Sequence, residues 1–404
     1  MLLRYFLLFC LLTIFTNSLF SQWSSITDTS ILKHNATVQK DLGDILIKFK
    51  KHPKIKDSVT PASKKYNFSI LPAVGYTLQT GFAGVISANV GFLNNTSPEA
   101  KMSTISSSLT YSQYDQIIFP LYADIWSKSE KWNYILDNRY ISFPSNIFGL
   151  GGTTDPNKGH TINFDQIKLH ETVLRKITNN LYAGVGFYYD NFYNIKVLDP
   201  QTRRVNVFIQ KEIGTTEAES GPVFKILYDS RKNQINPNQG NFLNVTLRQN
   251  FQELGSSKEW ASLLIDARKY INFPKGSKNT LALWSFNWLT IAGNPNYLLQ
   301  PSTGWDDQYN TGRGYIQSRF RGKQMLYFES EYRYNITRNG LLGGVVFANV
   351  QNFSGNLRPY DTYLPAYGAG LRIKLNKNSG ANLCIDYGFG KGSQGVFVNL
   401  GEVF

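Results

Sequence analysis

The stretch GRGYIQSRFRGKQMLYFESEYRYNIT, residues 312–337, concentrates side chains that can form strong, directional ion pairs. Arg313, Gly314 and Tyr315 come first. From Met325 the chain then alternates strictly: Met325, Tyr327, Glu329, Glu331, Arg333 and Asn335 share one face of an extended segment, and Leu326, Phe328, Ser330, Tyr332, Tyr334 and Ile336 share the other. Arginine is charged at any physiological pH and offers five donors in a planar fork, which a carboxylate meets with two parallel bonds. The chemistry is therefore electrostatic docking rather than bond-making. Arg313 is expected to dock on Glu331, with Glu329 beside it, and so hold the loop that carries it against a polar wall. Gly314 would let the backbone pass close to that wall, and Tyr315 would pack on it with its hydroxyl paired. The alternative is an ordinary charge ladder with the loop elsewhere.

Groups for covalent or metal chemistry are sparse. His34 and His52 precede the strand-rich part of the chain, His160 lies near Asp155 and Asp165, and His170 falls within a strand pattern. Catalysis would rest on a His160–aspartate dyad. Cys10 falls in an N-terminal leader, which leaves Cys384 with no intramolecular disulfide partner. No phosphate loop, cysteine–histidine cluster or dinucleotide glycine motif is present. The expectation is a protein without cofactor, metal or enzymatic activity.

The elements that must position the arginine follow from texture and spacing. The chain has 404 residues, 42% hydrophobic, 14% aromatic and 17% charged, with a formal charge of +14. This suits an all-β chain with many turns. The charge points to an anionic surface or an arginine-lined interior, and no recognition helix or compact basic motif points to nucleic acid. Residues 1–22, with Arg4 and then a short apolar run, read as a signal peptide. Residues 23–66 read as a periplasmic amphipathic helix over 36–50, with Val38, Leu42, Ile45, Leu46 and Phe49 on one face, followed by a charged linker.

From Phe68 onward about sixteen strand candidates follow, most long enough to cross hydrocarbon when tilted. They start near residues 68, 82, 102, 115, 131, 163, 181, 219, 240, 258, 278, 324, 341, 367, 380 and 395. Leu243, Val245 and Leu247 lie opposite Asn244, Thr246 and Arg248. Ala282, Trp284, Phe286, Trp288 and Thr290 share a face, and the hydrophobic rows are assigned to lipid. Long connections at 143–162, 193–218, 292–323 and 351–366 alternate with short ones such as SKSEK, KITNN, PKGSK and TRNG. A membrane barrel with long outer loops and short inner turns sorts loop length this way, and a soluble sandwich has no reason to. The ending GVFVNLGEVF places Val396, Val398, Leu400 and Phe404 on one parity, with Gly401 before the last residues.

At the Arg-Gly-Tyr loop the sequence resembles the BamA/TamA superfamily of outer-membrane insertases and translocation pores, the bacterial surface antigen family. The resemblance rests on Arg313-Gly314-Tyr315 in the sixth outer loop and on the acidic strand YFESEYRY. It also rests on GVVFANVQNF with Gly344, Phe347 and Asn349, on LYDSRKNQINPNQGNFLNV with Asp229 and Arg231, and on the closing NLGEVF. It implies a sixteen-stranded antiparallel transmembrane β-barrel over residues 67–404 whose sixth outer loop, about 292–323, turns into the lumen. Asn349 stands where that family has an aspartate; its amide oxygen is expected to accept from the arginine, and Asn349→Asp to tighten the loop. Val398, Leu400, Gly401 and Phe404 match the closing segment and imply an assembly signal. Residues 23–66 are too few for the family's usual periplasmic POTRA domains. The implied role is membrane protein assembly or substrate translocation, with outer-membrane lipid, a polypeptide client and further subunits as partners. A diffusion porin, or a structural barrel subunit of a larger complex, is the other reading.

Overall fold

The computed structural model describes residues 39–42, 44–45, 66–77, 80–95, 101–306, 310–355, 362–377 and 379–404. The expected signal peptide lies outside the described residues, as does most of the 23–66 segment. Where that segment is described, Asp41 and Asp44 cap each other: Asp41 Oδ1 accepts from the Asp44 amide and Asp44 Oδ2 from the Asp41 amide, both at 3.0 Å. This reciprocal cap satisfies two orphan donors of a helix start. Among the described residues helical backbone begins at Leu42, and the rest of the expected 36–50 helix lies mostly outside them.

The rest is one antiparallel meander. Its first half comprises β1 (Tyr66–Thr77), β2 (Gly81–Leu93), β3 (Met102–Ser112), β4 (Ile117–Trp126), β5 (Trp132–Ser142), the short β6 (Ser145–Ile147), β7 (His160–Thr178), β8 (Leu181–Leu198) and β9 (Glu217–Asp229). The second comprises β10 (Gly240–Asn250), β11 (Trp260–Asn272), β12 (Thr280–Gly293), β13 (Gln324–Asn335), β14 (Leu342–Ser354), β15 (Leu364–Lys374), β16 (Asn382–Gly390) and β17 (Ser393–Leu400). Each long strand pairs with the next in chain order. β5 and β6 both pair with β7, so β6 prolongs the wall beyond the break at Phe143-Pro144 and does not add a position to it. The two ends of the meander, β1 and β17, touch. Among the described residues β1 pairs with β2 and β17 with β16, and no ladder joins the two ends.

Alternation decides which side chain faces where. Along β1, Phe68, Ile70 and Val74 are exposed. The same outward row continues across the sheet through Ile86, Leu109, Leu121, Val185, Phe224, Ile226, Leu247, Phe328, Val346, Tyr367 and Leu400. Among the described residues no helix is long and apolar enough to cross a membrane, and this continuous apolar surface is carried by strands. It is far more contiguous than water tolerates on a monomer. Asn244, Thr246 and Arg248 are buried on the inner face, as the alternation of β10 requires.

The β12 row falls the other way. Ala282, Trp284 and Phe286 are buried inside rather than facing outward. Both rows of β12 are largely apolar, with Ser285 and Asn287 paired on the outer one, so its pattern does not mark a lumenal side, and the interior here is packed by side chains. It is packed by the 294–323 connection and by the end of the chain. Tyr315, Phe320, Met325, Tyr327, Val403 and Phe404 join Trp284 and Phe286 in one cluster. A second apolar cluster fills the far end, where β7 and β8 outrun the other strands. There Phe143, Ile162, Phe164, Phe192 and Val197 pack with Ile213 of the short helix α1 (Val207–Ile213) and with Leu298, Leu299 and Trp305 of the same connection. Much of the expected loops 143–162 and 193–218 is thus strand and helix.

Candidate functional site

Arg313 sits inside the wall, 2% exposed. Its guanidinium donates to Glu329 and Glu331 of β13 and to Asp386 of β16. Its Cζ lies 3.8 Å from the centroid of the Phe347 ring, so one face is stacked while the edge is hydrogen-bonded. Two more arginines complete the network. Arg333 Nε donates to Glu331 at 2.6 Å, and Arg372 reaches both Asp386 and Glu402, the latter at 2.8 Å. Three guanidinium groups thus meet four carboxylates, all buried. Taking one ion out of water costs several kcal/mol, so each member is tolerable only while its partners remain.

The backbone fits as closely as the charges. Gly314 has φ +107, and a Cβ there would lie 2.8 Å from Ala366 Cβ and 3.0 Å from the Phe389 backbone. Gly388 faces it from β16, where a Cβ would stand 2.8 Å from the Gly314 nitrogen. Glycine on both sides lets loop and wall touch main chain to main chain. Tyr315 packs edge-on against Phe320; its hydroxyl donates to Pro365 O at 2.7 Å and accepts from the Lys391 amide at 3.0 Å. The outer part of the loop is fixed as well. Arg319 donates to Thr154 in the β6–β7 connection, and Arg321 donates to three carbonyls of residues 297–300, from 2.8 to 3.1 Å.

Asn349 plays a different part from the one expected. Its Nδ2 donates to the Arg313 carbonyl at 3.0 Å, and its Oδ1 accepts nothing from the arginine. The anion missing at 349 is supplied by Asp386, which Arg372 also holds, and neither stood out in the sequence. The available signal was a lone acid on the inward parity of NLCIDYGFG, between Cys384 and Gly388. Asp229 and Arg231 form a bidentate pair at 2.9 and 2.8 Å that closes the β9–β10 turn, with Arg231 stacked 4.4 Å from the Phe242 centroid.

Val398 and Leu400 lie on the outward row of β17, but Phe404 does not join them. Gly401, at φ +93, ends the strand and turns the chain inward. Glu402 enters the charge network, and Phe404 stacks 5.0 Å from Trp284 with its carbonyl accepting from Arg333 at 2.9 Å. His160 is beside Asn206, while Asp155 caps the Asn157 amide and Asp165 accepts from Asn194, so the His160–aspartate dyad on which catalysis would have rested is not assembled. His170 instead meets Asp190 at 2.9 Å, and Arg248 meets the same oxygen at 2.6 Å. Among the described residues no cluster could hold a metal ion.

Two outcomes follow for the loop. Arg313→Ala leaves four buried carboxylates facing two arginines, a loss of about 3–5 kcal/mol by analogy with broken buried pairs. It should lower the melting temperature in detergent and open residues 310–320 to added protease; equal melting and cutting in variant and wild type would show that the pair does not hold the loop. Asn349→Asp replaces a donor to the Arg313 carbonyl with an acceptor and adds a fifth acid. It should loosen the loop in the same assay, the reverse of the sequence-based expectation, and a higher melting temperature would refute this geometry.

Residues 101–404 match the Omp85 superfamily domain. Among solved structures, BamA from Haemophilus ducreyi lacking POTRA domains 1-3 superposes with a TM-score of 0.53 at 13% identity, over 83% of this chain and 69% of that one. CdiB from Acinetobacter baumannii gives 0.53 at 12% identity, over 84% of this chain and 60% of that one. CdiB from Escherichia coli gives 0.53 at 10% identity, over 84% and 63%. This chain therefore spans less than two thirds of either CdiB chain. No curated protein sequence matches. At these identities the superpositions speak for the fold, and the domain match, which covers most of the sequence, speaks for the family: the chain belongs to the Omp85 superfamily.

Proposed function

We propose that this chain is a sixteen-position transmembrane barrel of a Gram-negative outer membrane, closed by β1 against β17. Its 23–66 segment lies on the periplasmic side, and it inserts proteins into the membrane or moves a polypeptide across it, without covalent catalysis. The observation that carries this reading is the contrast between two parts of the wall. Among the described residues β1 and β17 touch without a ladder, whereas β13 and β16 are tied to an inward loop by a buried ionic network. Opening any other strand pair breaks a ladder whose bonds are each worth about 0.5–1.5 kcal/mol net. The β1–β17 seam has no such cost, so it is where a client strand can add by edge pairing or where the wall can part toward lipid. A free diffusion pore fits less well, because the 294–323 loop occupies the lumen. Outer-membrane lipid, a polypeptide client and further assembly or transport subunits are the partners this reading requires.

The closing residues fit the same account. Val398, Leu400, Gly401 and Phe404 would be readable by assembly machinery only before folding, since Phe404 is buried afterwards. Deleting Phe404 should reduce the heat-modifiable folded form in outer-membrane fractions more than Trp284→Ala, which removes the same stacking partner. Equal losses would assign Phe404 to packing alone. Deleting residues 23–60 should give larger or more frequent openings in planar bilayers if that segment obstructs the inner mouth. Unchanged conductance would deny it that part.

A further inference from the structure

We infer that the inner mouth of the barrel is a docking site for an acidic polypeptide segment. A vestibule of about 700 Å³ lies at the end that carries the short turns. Seven cationic side chains line it, Lys275, Lys278, Arg333, Arg338, Arg372, Lys374 and Lys377, against one carboxylate, Glu402. Arg333 and Arg372 are committed to Glu331, Asp386 and Glu402. Among the described residues Lys275, Lys278 and Arg338 form no ion pair, and all three are exposed. They come from neighbouring turns, so their charges converge on the opening. At a screening length of about 8 Å, side chains so grouped still sum their fields on an incoming anion.

The chain itself supplies an example of the ligand. Asp44 pairs with Lys377 Nζ at 2.8 Å, and Asp41 Oδ2 accepts from the Lys377 amide at 3.1 Å. The Lys40 amide donates to Asn339 O at 3.1 Å, so peptide backbone as well as carboxylates is bound at this rim. The hydrogen bond from Lys377 holds the Asp44 carboxyl below its ordinary value. The remaining lining is rich in amides, including Asn238, Gln239 and Asn335. An amide offers a donor and an acceptor, which suits a peptide backbone; a lipid phosphate takes donors only. The lining reaches the inward-facing Arg333 and Arg372.

The inference rests on the translocator reading, because it names the chemistry of the segment received. Its test uses the full chain in zwitterionic detergent and fluorescent ten-residue peptides of alternating Glu and Ser, with Gln/Ser and Lys/Ser peptides as controls, followed by anisotropy. The acidic peptide should bind, should weaken with salt, and should weaken at least tenfold in the Lys275→Glu/Lys278→Glu variant. The Lys128→Glu/Lys131→Glu variant changes net charge equally on another short turn and should bind almost as the wild type does. Asp41→Asn/Asp44→Asn should tighten binding by freeing Lys377. Equal affinity for the Gln/Ser peptide, or equal losses in the two charge-reversal variants, would overturn the site. So would micelles doped with phosphatidylglycerol displacing the peptide through the same lysines, which would reassign it to lipid. Bilayer conductance separates the two levels: a channel that conducts but binds no acidic peptide refutes this inference alone, and a protein that binds the peptide without forming any channel refutes the translocator reading.

Discussion

A guanidinium buried in a protein wall needs anions, and buried carboxylates need cations; the interior of this molecule is organised by that mutual requirement. Arg313 can reach Glu329, Glu331 and Asp386 only if the loop that carries it folds into the lumen. Once it is there, Gly314 must lie against β15 and β16, and Tyr315 must find Pro365 and Lys391. The network is not a bonus to stability in itself, since apolar residues of similar shape can do as well or better in such places. Its contribution is specificity: few other arrangements of this loop leave none of the seven charges unpaired.

The inward loop changes what the lumen is. A wide barrel left empty would be lined by polar groups in contact with water. Here the loop and the last residues displace that water, so the inner rows of β11 to β14 can be aromatic. Trp284 faces inward because Phe404 and Tyr327 are there to cover it. The charge network and the apolar cluster are therefore two halves of one packing unit, joined at Glu402, whose carboxylate belongs to the first while Phe404 belongs to the second.

That unit is confined to one side. β1 to β4 and β17 take little part in it, and among the described residues the meander's two ends meet there without a ladder. The wall is thus stiff where the loop is tied and least costly to part where it is not, a division that suits a protein which must open laterally while staying folded. The inner rim adds a direction to this arrangement, because its short turns carry lysines and arginines around the mouth.

Much of this was legible in the residues alone. The period-two pattern located the strands, because backbone pleating forces side chains to alternate whatever surrounds them. Loop lengths gave the two ends of the barrel, and an arginine loop followed by Glu329 and Glu331 gave the docking. Three things were settled only in the tertiary structure. The facing of β12 was one: a period of two separates two faces but cannot say which is inside when both are apolar. The partners of Arg313 were another. Asp386 and Arg372 are brought to it by the registers of β13 to β16, a property of three successive ladders and not of any one strand. The last was the path of the chain after Leu400. Gly401 permits a left-handed turn, but only the loop waiting in the lumen makes it worthwhile for Val403 and Phe404 to leave the outward row and pack inside.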